Sequence, residues 1–243
     1  MSSDNLKGDL KMQYKQETIK RYLEKAKNAV SVARANIDNV HVHVSFGNRK
    51  IGKTLNYNLP AVSSCGGMCR KCGCLKYCYA IKDALRFPAV LKARAENFAL
   101  LLSDSPRYWK EVAESINRHP SYGYIRFHVS GEIVNYDYFE NMVKIARSFP
   151  ARRFWTYTKQ YEIVNAYCAN NGGRSAIPSN LVIMFSNWDG YPMNNPYSFP
   201  TFTFVPDGKP LPQNVFVCGG NCDYCKQHNC GCVGGCSACV REH

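Results

Sequence analysis

One spacing of three cysteines, Cx3Cx2C, occurs three times in this chain. The copies are Cys65-Gly-Gly-Met-Cys69-Arg-Lys-Cys72, Cys218-Gly-Gly-Asn-Cys222-Asp-Tyr-Cys225 and Cys232-Val-Gly-Gly-Cys236-Ser-Ala-Cys239. Three thiols this close, separated by small residues, let the backbone wrap around one centre. The paired glycines remove Cβ clashes and bring backbone N–H groups near the sulfurs. Adding Cys74 and Cys78 to the first copy and Cys230 to the others gives two groups, of five and seven cysteines. Of the 13 cysteines only Cys168 stands apart, in the apolar-periodic run EIVNAYCAN, where a buried core thiol is expected.

The N-terminal segment MSSDNLKGDLKMQYKQ is polar and lacks the apolar stretch of a secretory signal. No run approaches the ~18 apolar residues of a membrane-spanning helix. These features predict a chain that stays in a reducing cytoplasm, away from membranes. A disulfide framework does not suit that compartment, and an odd cysteine count does not suit complete pairing. Metal ligation is the remaining reading for the twelve clustered cysteines. Triples at this spacing favour cubane [4Fe-4S] clusters. Zinc is the alternative metal, since Cys222/Cys225 with Cys236/Cys239 also parse as two zinc-type pairs. Three complete four-cysteine sites would use all twelve thiols and would require one site to draw on both groups. The expectation is therefore one to three clusters.

Between the cysteine groups, strand-like and helix-like patterns alternate. Residues 1–39 read as a polar helical segment. Strands are expected at Val40–Phe46, YIRFHVS, RRFWTYT, LVIMFS, FTFV and NVFV. Helices are expected at Tyr79–Leu102 (interrupted at Pro88), Pro106–Asn117, Tyr138–Arg147 and Glu162–Ala169. This order implies an α/β domain over 40–217, a parallel sheet resembling a partial (β/α) barrel. A cysteine-rich, metal-bound tail would occupy 218–243. That tail has few apolar residues, so metal is expected to replace a core there.

Sites in such folds gather at the C-terminal ends of the strands. The strands here run into Ser130-Gly131-Glu132, Thr158-Lys159, Ser186-Asn187-Trp188 and Cys218. Arg126 and His128 are expected to share one strand face and, with Glu132 and Lys159, form the candidate catalytic set. The alternative for Arg126 and His128 is a salt bridge with Glu132 or another acid. His41 and His43 are expected on one face of a strand, exposed or hydrogen-bonded, and His228 is a weaker ligand candidate. No Ser-His-Asp arrangement, P-loop or GxGxxG is present.

Cx3Cx2C ahead of an α/β barrel resembles the radical S-adenosylmethionine superfamily, although Lys71 stands where an aromatic residue usually precedes the third cysteine. The resemblance implies that Cys65, Cys69 and Cys72 hold a cluster with one open iron. It also implies that Ser130, Gly131 and Glu132 contact S-adenosylmethionine. The segment from Asn56 to Asn165 is similar to the phage-associated gene product 88 family. LNYNLPAVSSC, Cys74-Leu-Lys-Tyr-Cys78-Tyr79-Ala80, the Arg94/Asn97 helix, RFHVSGEI and FWTYTKQ carry that similarity. It implies a phage or prophage setting and iron–sulfur chemistry, with Cys74 and Cys78, joined by Cys65 or Cys69, as principal ligands.

The formal net charge is +13. Cluster-bound thiolates would lower it: three oxidised cubane sites, each about −2, leave about +7. The basic excess is a modest argument for a nucleic-acid partner, and cluster chemistry calls for a redox partner. The functions in view are a redox or radical-SAM-like enzyme with auxiliary clusters, a metal-stabilised nucleic-acid-binding protein, and an electron or cluster carrier.

Overall fold

The computed structural model describes residues 16–205, 210, 213, 216–218, 222–235 and 238–241, with the backbone alone at 232 and 238–241. Its spine is one sheet of eight strands: β1 (Val44–Asn48), β2 (Gly52–Tyr57), β3 (Tyr124–Phe127), β4 (Arg153–Thr158), β5 (Leu181–Asn187), β6 (Thr201–Val205), β7 (Phe216–Val217) and β8 (Ala238–Arg241). The spatial order is β1-β2-β3-β4-β5-β6-β8-β7. Only the β1–β2 pair is antiparallel; every other pair is parallel. From β2 to β6 the strands follow one another in chain order, as in an α/β sheet wound in one direction. The sheet stays open, with β1 and β7 at its edges.

The helices are α1 (Gln16–Ala35), α2 (Met68–Lys71), α3 (Tyr79–Arg86), α4 (Pro88–Ser103), α5 (Ser105–Arg118), α6 (Tyr136–Ser148), α7 (Tyr161–Asn170), α8 (Cys222–His228) and α9 (Gly231–Gly234). Pro88 divides the expected Tyr79–Leu102 helix. It starts α4, and its ring pushes Phe87 into extended backbone (φ −123°, ψ 95°). Asp104 caps α5 by accepting from Arg107 N at 3.0 Å, and Asn135 caps α6 by accepting from Tyr138 N at 2.8 Å.

Alternation along the strands divides the core into two layers. Leu55, Tyr57, Ile125, Phe127, Phe154, Ile183 and Phe185 face helices α4–α7 in the main core, where Cys168 is also fully buried. On the other side, Trp155, Val182 and Met184 pack against Cys225 of α8 and Val233 of α9. A third, smaller cluster joins Tyr22 and Ala26 of α1 to Ala80, Ile81 and Ala84 of α3 and to the first cysteine segment.

Three expectations change. The described part of the tail docks by burial, because the sheet supplies the apolar surface its own sequence lacks. It also contributes β8 to the sheet. The strand expected from Val40 begins only at Val44; His41 and His43 precede it and pair with Glu111 (3.2 Å) and Glu96 (2.5 Å). Arg126 and His128 do not share a face. β3 ends at Phe127, and His128 takes a left-handed backbone (φ 63°), which sends its ring to the helix side.

Candidate metal centre

The first cysteine group caps the C-terminal ends of β2, β3 and β4, held there by hydrogen bonds from several elements. Leu59 N donates to Ser130 O at 3.0 Å, Ser130 Oγ donates to Leu59 O at 2.8 Å, and Ser130 N donates to Asn58 Oδ1 at 3.1 Å. Gly131 makes this contact sterically feasible. Its φ is +98°, and a Cβ there would lie 2.7 Å from Leu59 Cβ and 2.9 Å from Ser64 Oγ. From α4, Asn97 Nδ2 donates to His43 O and Asn58 O, while its Oδ1 accepts from His43 N. Buried Arg94 donates to Ala80 O at 3.0 Å, tying α4 to the chain just after Cys78. Tyr22 of α1 donates to Ala61 O at 2.9 Å. Sequence reasoning gave Tyr22 no role; its only signal was an aromatic residue on the apolar side of α1.

None of the ten cysteines described with side chains forms a disulfide. In the first group, Cys69 Sγ donates to Gly66 O at 3.7 Å. Cys72 Sγ and Cys74 Sγ both lie against Cys69 O, at 3.8 and 3.7 Å. The neighbouring Cys65 thiol lowers the Cys69 thiol to about 7, against the opposing effect of burial. Cys74 acts in the same way on Cys72, which falls to about 6. The neighbouring thiols and burial push Cys65 and Cys74 up, while Cys78 is raised by burial.

Beside these thiols stand one carboxylate and one ammonium. Glu132 is buried and fully engaged: Oε1 accepts from Thr158 Oγ1 (2.7 Å) and Ile133 N (2.8 Å), and Oε2 accepts from Lys159 N (3.0 Å). It stitches the end of β3 to the end of β4. The Lys159 ammonium makes no hydrogen bond or ion pair among the described residues and lies 5.9 Å from the Trp188 ring centroid. Burial alone would lower its pKa, but Cys74, Glu132, Cys72 and Cys65 more than offset that and leave it raised. Trp188 stacks on Phe204 (4.4 Å, 15°), and Tyr77 of the cysteine segment packs against both.

The other expected residues sort differently. His128 lies in the core between Thr156 Oγ1 (3.3 Å) and Tyr138 Oη (2.8 Å). Burial first, then Arg126, lowers its pKa to about 3, so the ring is neutral. Arg126 points to the tail side and lies 4.8 Å from the Tyr157 ring centroid. In the tail, Cys225 and Cys230 join the apolar cluster around Trp155. Cys222 N donates to Lys50 O in the turn before β2, at the other end of that strand from the first group. Cys218 follows β7, whose Val217 is level with Cys239 and, across β8, with Thr203 of β6. Cys236 lies outside the described residues, as do the side chains of Cys232 and Cys239. His228 is exposed and stacked on Tyr224 (4.1 Å).

The donor set suits a thiolate-bound metal in kind. Five free thiols occupy one segment beside a cation that lacks an ion pair. Among the described residues no three Cys, His, Asp or Glu side chains converge as a metal shell. A cleft of about 510 Å³ opens at the opposite ends of the strands, lined in part by Arg152 and Arg153. Its arginines donate to Pro120 O, Val233 O and Ser179 O. No described helix is long and apolar enough to cross a membrane.

No curated protein and no solved structure matches the chain. The profile of the Gene product 88 family matches residues 18–194, from α1 through the first cysteine group and past β5, stopping before β6 and the tail. The match takes in most of the chain and every element that holds the first cysteine group, and the protein belongs to the Gene product 88 family.

Proposed function

We propose that the chain is an iron–sulfur protein with a redox function and that its first cysteine group holds a [4Fe-4S] cluster. The observation that carries this reading is the placement of five thiols in one segment beside Lys159, a half-buried ammonium without an ion pair among the described residues. A cation left so beside thiols favours thiolate. Cys65, Cys69 and Cys72 supply the Cx3Cx2C triple, and Cys74 and Cys78 are the competing pair. A bound cluster supplies one-electron transfer. Around it, Lys159 and Arg94 offset negative charge, Glu132 fixes the backbone of Lys159, and the small core of α1 and α3 keeps water from one side. Ser130 and Glu132 already hydrogen-bond within the protein, so an S-adenosylmethionine site would have to use their remaining acceptor capacity. A tail cluster would draw on Cys218 and Cys222 with Cys232, Cys236 and Cys239.

The test is anaerobic purification with iron, sulfide and zinc analysis, then EPR of the reduced protein with and without S-adenosylmethionine. Iron and sulfide in near-equal amounts support the cluster; zinc alone contradicts it. A spectrum unchanged by S-adenosylmethionine contradicts the radical-type reaction only. A second reading, a metal-stabilised nucleic-acid binder, is favoured by the exposed Arg70, Lys71, Lys76, Lys82 and Arg86 around the motif, among which Asp83 is the single acid. It predicts polyanion binding that weakens steeply with salt.

A further inference from the structure

Among the described residues, Arg126 is a mid-sheet cation with a buried donor that has no partner. It lies in mid-strand, in register with Asn56 on β2 and Trp155 on β4, on the side facing the tail. The side chain is half-buried and rests on the Tyr157 ring. It makes no hydrogen bond and no ion pair among the described residues, and its Nε is sealed from solvent without a partner. The adjacent Asn56 is 1% exposed, and its Oδ1 is also a buried acceptor without a partner. The orientation of that amide is fixed, because Nδ2 donates to Ser45 O and Thr54 O, both at 3.1 Å. Glu132, the acid nearest in sequence, is committed to Thr158 and Lys159.

Buried polar groups are normally satisfied, and a half-buried cation is normally paired. Here a cationic donor and a neutral acceptor stand side by side, and neither uses the other. We infer that Arg126 and Asn56 anchor a small organic carboxylate bearing an adjacent hydroxyl or ammonium group, with the carboxylate on the guanidinium and the neighbouring donor on Asn56 Oδ1. The planar fork of arginine suits a carboxylate. The other groups its charge reaches are Tyr79, neutral His128 and Cys222. One positive charge then balances a monoanion and leaves a phosphate dianion uncompensated. The site needs no metal, so it stands or falls apart from the cluster.

The test follows the arginine Nε–H resonance of Arg126 in the full chain, assigned by its loss in Arg126→Gln. The chain is titrated at constant ionic strength with lactate, propionate, lactamide and inorganic phosphate. Lactate is expected to shift the resonance saturably, roughly three- to tenfold more tightly than propionate, the effect of one hydrogen bond. Lactamide and phosphate should bind at least about tenfold more weakly, and Arg126→Lys should lose most of the lactate affinity while keeping the wild-type circular dichroism melt. No saturable shift with lactate, equal binding of lactate and propionate, or tighter binding of phosphate overturns the inference.

Discussion

The two cysteine groups share a spacing but are built differently. The first is held by hydrogen bonds from α1, α4 and the end of β3, three of its thiols donate to backbone oxygens within the segment, and Lys159 lies beside them. The described part of the tail is held by burial: Cys225 and Val233 pack on Trp155 and Met184, and Cys230 packs against the same cluster. Each copy of Cx3Cx2C buries a cysteine in a core, but in different ones: Cys69 lies with Tyr22, Ile81 and Ala84 under the helices, and Cys225 lies with Trp155 and Met184 on the sheet. A cysteine count by itself does not separate these uses; the surface against which each segment folds does. The family match draws the same line, covering the first group and stopping before the tail.

The largest effect expected from this contrast is on pH dependence. His128, under the first group, has its pKa pushed down to about 3 from 6.5. Below about 6.5 the unfolded chain takes up a proton that the folded chain refuses. Stability should therefore fall as pH drops from about 6.5 towards 3, by about 4–5 kcal/mol at about 1.36 kcal/mol per pH unit. His128→Asn keeps a side chain that tolerates positive φ and cannot titrate there. Urea melts between pH 7 and pH 4 should lose this component of the slope in the variant; an unchanged slope contradicts the assignment.

Two glycines give the next test. Gly131→Ala places a Cβ against Leu59 and Ser64 at a positive φ and should cost about 3–4 kcal/mol. Gly52→Ala, also at positive φ, meets only the Asp223 carboxylate of α8, an exposed side chain able to move, and should cost about 1 kcal/mol. Hydrogen exchange should place the Gly131 effect in residues 58–80 and leave α8 protected. Equal costs would mean that the two segments are held alike.

Lys226 lies between these glycines in expected effect. Its ammonium donates to Ile51 O (2.7 Å) and Thr54 Oγ1 (2.9 Å), pinning α8 to β2. Lys226→Met should cost about 2 kcal/mol and loosen α8 first, as hydrogen exchange would report. Uniform loosening of the whole chain would contradict a locally docked tail.

Much of this was legible in the sequence. Alternation located β3 to β6, and Pro88 marked the break between α3 and α4. Glu132 and Lys159 were correctly placed at strand ends. What was missed has physical causes. β2 reads as polar because Thr54 and Asn56 face Lys226 and Arg126 rather than an apolar layer. β8 was hidden inside a segment read only for its cysteines. The His128 face was misjudged because alternation stops where φ turns positive, which residue types alone do not reveal. The scaffold role of Ser130 and Gly131 depends on contact with Leu59, about 70 residues away in the chain.

The central claim is that the first group, with Lys159, holds an iron–sulfur cluster. Its most direct test is iron and acid-labile sulfide per chain in three anaerobically prepared proteins: wild type, Cys65/Cys69/Cys72/Cys74/Cys78→Ser, and Cys225/Cys230→Ser. We expect about four iron and four sulfide or more in the wild type, loss of one cluster's worth in the first variant, and near-retention in the second. Wild-type protein without iron, or iron lost only with Cys225 and Cys230, would contradict it.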